Sequence, residues 1–180
     1  MSRVLAAAAL LLAWAPPATA QQPGPYTAAV KAQTQEIRNI LLRAAEKIPE
    51  NLLAFRPTPE VRSLGALFGH IADGNEFICR IAAGEKPSFA PVHEKKTTKA
   101  ELVAALKQSD AFCDSVFAKL DDQSGRQTVS LFGRDVPKLM VLAFNTNHAW
   151  EHYGNIVTYM RLNKIVPPTS EQPPRPGEPR

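Results

Sequence analysis

Apolar residues recur along this chain at intervals of three and four, and four stretches hold that rhythm long enough to predict helices. The first spans Tyr26 to Ile48, with Val30, Ile37, Leu41, Ala44 and Ile48 on one stripe, and Pro49 closes it. ENLLAFRPTPEV follows; its apolar middle is expected to pack on the other helices. The second helix has two start signals, Thr58 before Pro59 and Ser63 as a cap. It runs through LGALFGHIADGNEFICRIAA and stops at Gly84. The connection GEKPSFAPVHEKK is long enough to cross a bundle end, so the third helix need not run antiparallel to the second. That third helix opens on a capping box, Thr98-Lys99-Ala100-Glu101. It continues with Leu102, Leu106, Cys113, Val116 and Leu120 on one face. QTVSLFGRDVP alternates weakly around Phe132-Gly133-Arg134 and predicts a short hairpin or extended turn. The last helix is expected to begin near Asp135 or Val136, with Pro137 in its first turn, and to reach Asn163. The pattern as a whole predicts an all-α four-helix bundle with a small extended insertion before the final helix.

Both ends of the chain fall outside that pattern. Residues 1–20 carry Arg3, an apolar run from Val4 to Ala15 and Ala18-Thr19-Ala20 before Gln21, the layout of a secretory signal peptide cleaved after Ala20. The apolar run is too short for a mature transmembrane helix, no other segment is long and apolar enough to be one, and no cysteine follows for a lipid anchor. A periplasmic or secreted protein is therefore expected, with the domain spanning residues 21–166. The last fourteen residues, 167–180, hold six prolines and almost nothing apolar, and predict a disordered tail. Losing Arg3 removes one charge from a formal net +4. The remaining basic residues are scattered, with Lys95, Lys96 and Lys99 the densest group, and form no stripe interleaved with aromatics, so nucleic-acid binding is not expected. Export gives meaning to the two cysteines, Cys79 and Cys113. An even pair in an oxidising compartment favours a disulfide over two buried thiols.

The chemistry lies in the histidines, four in number. His93, in the long connection, reads as a solvated loop residue. His148 and His152 in HAWEH lie four apart, about 40° from each other on a helix, so both imidazoles can reach one ion from the same side. Two histidines are one short of a zinc-type site, which needs at least three protein ligands. His70 on the second helix, flanked by Ala66, Leu67 and Ile71, points inward and is the candidate third. The alternative is three hydrogen-bonded core histidines that do not converge. HAWEH also matches H-x-x-E-H, the reversed zinc-protease signature. That mechanism requires a third carboxylate ligand downstream, and only Glu171 and Glu178 follow, both in the tail. Glu151, one turn from His148, and Asp73, one turn after His70, are candidates to orient an imidazole or act as a base. Tyr159 and Asn155, further along the last helix, are candidates to position or protonate a substrate.

LFGHIAD, SLFGRDVP and NHAWEHYGNIVTYMRLNKIVPP together resemble the DinB/YfiT-like metalloenzyme superfamily, over roughly Tyr26 to Pro168. The resemblance implies an up-down-down-up bundle and a divalent metal, zinc or nickel, on His70, His148 and His152. It also carries over homodimer formation, common in the superfamily. It names no reaction. Characterised relatives include thiol-dependent transferases and isomerases that use cytoplasmic thiols, which an exported chain would seldom meet. Three neutral imidazoles leave one coordination position open, and a water there would have its pKa lowered towards about 7. A hydrolase- or transferase-type enzyme acting on a small molecule is one expectation. A non-catalytic periplasmic metal-binding or stress-related bundle is the other.

Overall fold

The structure is a computed structural model that describes residues 23–171; the expected signal peptide and residues 172–180 of the tail lie outside the described residues. Four helices dominate: α1 (Pro25–Lys47), α2 (Leu64–Ala82), α3 (Lys99–Phe117) and α4 (Lys138–Leu162). A hairpin of β1 (Thr128–Leu131) and β2 (Arg134–Pro137) precedes α4.

Local chemistry sets most of the boundaries. Of the two starts open to α2, Ser63 is the one used, its hydroxyl accepting from the Ala66 amide. The α2 end is relieved by Gly84 at φ +91, a backbone that favours glycine. Thr98 and Glu101 form the reciprocal capping box of α3. In the hairpin Leu131 pairs with Arg134, so the loop is Phe132-Gly133, both at positive φ (49 and 78), the two-residue turn whose twist matches paired strands. α4 begins at Lys138, later than Asp135 or Val136, because Asp135, Val136 and Pro137 are spent pairing with β1.

Contacts between helices fix the topology. Cys79 meets Cys113 and Asn75 meets Asp110, in step with Gly65 against Leu102, so α2 and α3 run parallel. Arg38 pairs with Asp114 while Glu46 lies against Lys107, so α1 opposes α3. His70 meets His152 while Asn75 meets Asn145, so α4 opposes α2. The order is up-down-down-up, and the long connection after Gly84 makes the parallel step. One apolar cluster gathers Ile37, Leu41, Leu64, Phe68, Leu106, Ile156 and Met160. A second gathers Ile78, Cys79, Cys113, Phe117, Leu131 and Leu142. Between them a polar layer crosses the core. Thr34 and Thr146 share a hydrogen bond of 2.7 Å, Asn75 donates to Asp110 at 2.7 Å, and buried Arg38 reaches Asp110 at 3.1 Å.

Part of the expected tail is ordered. Pro167 and Pro168 are buried, Tyr153 and Thr169 share a hydrogen bond of 3.0 Å, and Glu171 pairs with Lys47 and Arg43. Composition alone misreads these five residues because prolines preset to an extended backbone lose little entropy on docking.

Candidate metal centre

His70 projects from the second turn of α2, and His148 and His152 from successive turns of α4. Because α2 and α4 are antiparallel neighbours, their three Nε2 atoms meet. His148 Nε2 lies 3.3 Å from His70 Nε2 and 3.1 Å from His152 Nε2. A tetrahedral zinc site with bonds of 2.0–2.1 Å requires ligand nitrogens about 3.3 Å apart, so the spacing fits. Among the described residues these three form the one group of ligating side chains close enough to share an ion. The alternative of three core histidines pointing apart is thereby excluded.

The far side of each ring matters as much. His70 Nδ1 faces Glu94 Oε2 at 3.3 Å, a contact that keeps the proton on Nδ1 and leaves Nε2 a lone pair. His152 Nδ1 lies 3.4 Å from the Asn155 side-chain nitrogen, and turning that amide over places its oxygen there to accept from Nδ1 and leave Nε2 a lone pair. His148 Nδ1 is buried without a partner. Its ring lies against Gly74, where a Cβ would come within 2.6 Å of Cε1. All three imidazoles are held below the ordinary histidine range. Burial is the main cause for each, pushing His148 down to about 4 with help from His152 and His70. His70 is lowered next by the Arg62 charge, and His152 by His70. The site therefore presents three neutral imidazoles at neutral pH, the form that binds a metal.

Glu94 is the residue the sequence reading missed. It reaches His70 because Asp73 clamps the loop: its carboxylate accepts from the amides of Val92 (3.0 Å), His93 (3.0 Å) and Glu94 (2.9 Å). Gly69 makes room beneath, since a Cβ there would sit 2.3 Å from the His93 carbonyl oxygen. The same clamp corrects the expectation for His93, which is buried rather than solvated. Asp73 thus orients the loop that carries Glu94, and its own oxygens bond backbone amides, not an imidazole. Glu151 is exposed on the outer face of α4, and its charge reaches His152 only through space. Tyr159 is buried edge-on against Phe55, and with Asn155 and His152 it lines a cleft of about 640 Å³ beside the histidines. No spacing in the sequence marked Glu94: only the fold brings this loop residue to the helix that carries Gly69, His70 and Asp73.

Cys79 and Cys113 are joined as a disulfide linking α2 to α3. Both are fully buried, one turn below the polar layer. No helix among the described residues is long and apolar enough to cross a membrane.

Fold and site together define a class: an up-down-down-up helical bundle with a three-histidine centre between its second and fourth helices. The family model of the DinB superfamily matches residues 33–156, more than half of the chain, and the protein belongs to that superfamily. Among curated proteins none matches the sequence. A DinB-like protein from Bacillus cereus ATCC 10987 is similar in structure, with a TM-score of 0.64 at 18% identity, over 79% of this chain and 93% of that one. A DinB-like protein from Bacillus subtilis gives 0.60 at 19%, over 77% and 93%. The mycothiol-dependent maleylpyruvate isomerase gives 0.61 at 14%, over 72% of this chain but only 60% of the isomerase. At these identities the likeness is one of fold.

Proposed function

We propose that this chain is an exported divalent-metal-binding protein that acts as a metal-dependent enzyme, hydrolase- or transferase-type, on a small molecule. The observation that carries the reading is the convergence of three neutral Nε2 atoms at tetrahedral spacing. His70, His148 and His152 would hold the ion, zinc or nickel. When bound, such an ion supplies Lewis acidity at an open coordination position. The protein's own residues do the rest. Glu94 orients His70, Asn155 orients His152, and the cleft admits a substrate from the side of Tyr159. Tyr159, its hydroxyl held above the ordinary tyrosine range by burial, stays protonated and can donate a hydrogen bond. The buried Cys79–Cys113 bridge supports an oxidising compartment, in keeping with the leader-like first twenty residues.

Metal stoichiometry by mass spectrometry tests the reading, on protein beginning at Gln21 and produced in the periplasm. One tightly held divalent ion is expected, lost in His148→Ala. Absence of any ion after incubation with zinc and with nickel would sink it. A non-catalytic metal-binding bundle is the second reading. The cleft beside His152 favours the first, since a buffer has no need of a shaped substrate space.

A further inference from the structure

The cleft next to His152 has an electrostatic character of its own. Two guanidinium groups, Arg56 and Arg62, stand on its rim, and two carboxylates, Glu60 and Glu94, line it as well. Their charges do not simply cancel. Glu94 is engaged on both oxygens, Oε1 with Arg62 Nε at 2.8 Å and Oε2 with His70. Glu60 is exposed and turned to Thr58. Arg56 is exposed too, but it forms no hydrogen bond or ion pair among the described residues, and the backbone on either side of it is fixed by its neighbours. Phe55 O accepts from the Leu64 amide at 2.9 Å and Leu53 O from the Gly65 amide at 2.8 Å, which fastens this segment to the start of α2. Those two bonds also consume the first amides of α2, so a ligand must be held by side chains. The helix still contributes the positive end of its dipole, and its first turn contains no acidic residue to answer it. Leu67, Ala66 and Val61 give the cleft an apolar flank.

We propose, resting on the metal-enzyme reading above, that this cleft selects a small organic anion, a carboxylate or phosphate ester. Its charged head is held by Arg56 with help from Arg62, and its apolar body lies along Leu67. The planar guanidinium matches both head groups with paired hydrogen bonds. The anion also sits where it answers the α2 dipole and the charge of an ion at the histidines. A volume of about 640 Å³ suits a molecule of that size, a neutral one included; the unanswered Arg56 is what decides for an anion.

Isothermal titration with three probes tests this on metal-free protein, so that direct ligation of an ion contributes nothing. The probes are benzoate, phenyl phosphate and the neutral benzamide. At least one anion is expected to bind tenfold or more tightly than benzamide, and the tighter of the two identifies the head group. Arg56→Ala should abolish the preference, and Arg56→Lys should keep part of it; Arg56→Gln serves if the alanine variant does not fold. Equal binding of benzamide, no binding by either anion, or a preference that survives loss of Arg56 would overturn the inference. Zinc content, measured separately, keeps the two readings apart. Zinc bound without anion preference removes only the substrate class. Anion preference without zinc removes the metal centre and leaves the anion site standing.

Discussion

At the scale of single residues the histidine cluster depends on groups outside its three rings. Glu94 is the chief example, since its carboxylate sets the proton position on His70 and is itself steadied by Arg62. Removing such a partner typically costs ten- to a hundredfold in metal affinity. Glu94→Gln is therefore expected to weaken zinc binding by about that factor with the helices intact, read by competition with a chromophoric chelator beside circular dichroism. An unchanged affinity would show that Glu94 is only a loop anchor. Asp73 acts one step further out, and Gly74 acts by having no side chain, since His148 occupies the space a methyl group would fill. The convergence of His70, His148 and His152 was legible in the sequence because helical periodicity converts spacing into direction. The supporting carboxylate was not, because Glu94 lies on a connection, where spacing carries no direction.

At the scale of elements, α2 is tied to both of its neighbours: to α3 by a covalent bridge, and to α4 by the packing of the histidine rings. The bridge closes a loop of 34 residues, worth about 3–4 kcal/mol through the entropy of the unfolded chain. Replacing Cys79 and Cys113 together by Ala is expected to lower unfolding free energy by about that amount, measured by urea denaturation. A change below about 1 kcal/mol would mean that native strain offsets the entropy. Boundaries set by local chemistry were readable: the Thr98 capping box and the hairpin turn at Phe132-Gly133 both stand where the sequence places them. Boundaries set by tertiary contacts were not. The start of α4 waits for β2 to finish pairing, and Pro167–Glu171 dock because Tyr153 and Lys47 happen to face them. No periodicity within those segments announces either event.

At the scale of the whole molecule, acid acts through groups that pull in opposite directions. In metal-free protein the folded state keeps His148 neutral down to about 4, and His70 and His152 are lowered too. The unfolded chain takes up those protons near pH 6.5, so stability is lost as pH falls from there towards 4. Asp110 opposes this: burial raises it to about 6 despite Arg38, so the fold is favoured as pH falls from there towards the ordinary carboxylate value. His148→Ala should therefore lose less stability than the wild type between about pH 7 and pH 4.5, compared by urea midpoints. Equal losses would mean that the imidazole is not held neutral in the fold. The bridge between Cys79 and Cys113 bears on the same molecule in another way. Both sulfurs are wholly inaccessible, so a phosphine reductant can reach them only while the bundle breathes. The pace of that reaction is then a built-in clock for opening of the α2–α3 seam, and an ion clasping α2 to α4 would make it run slow.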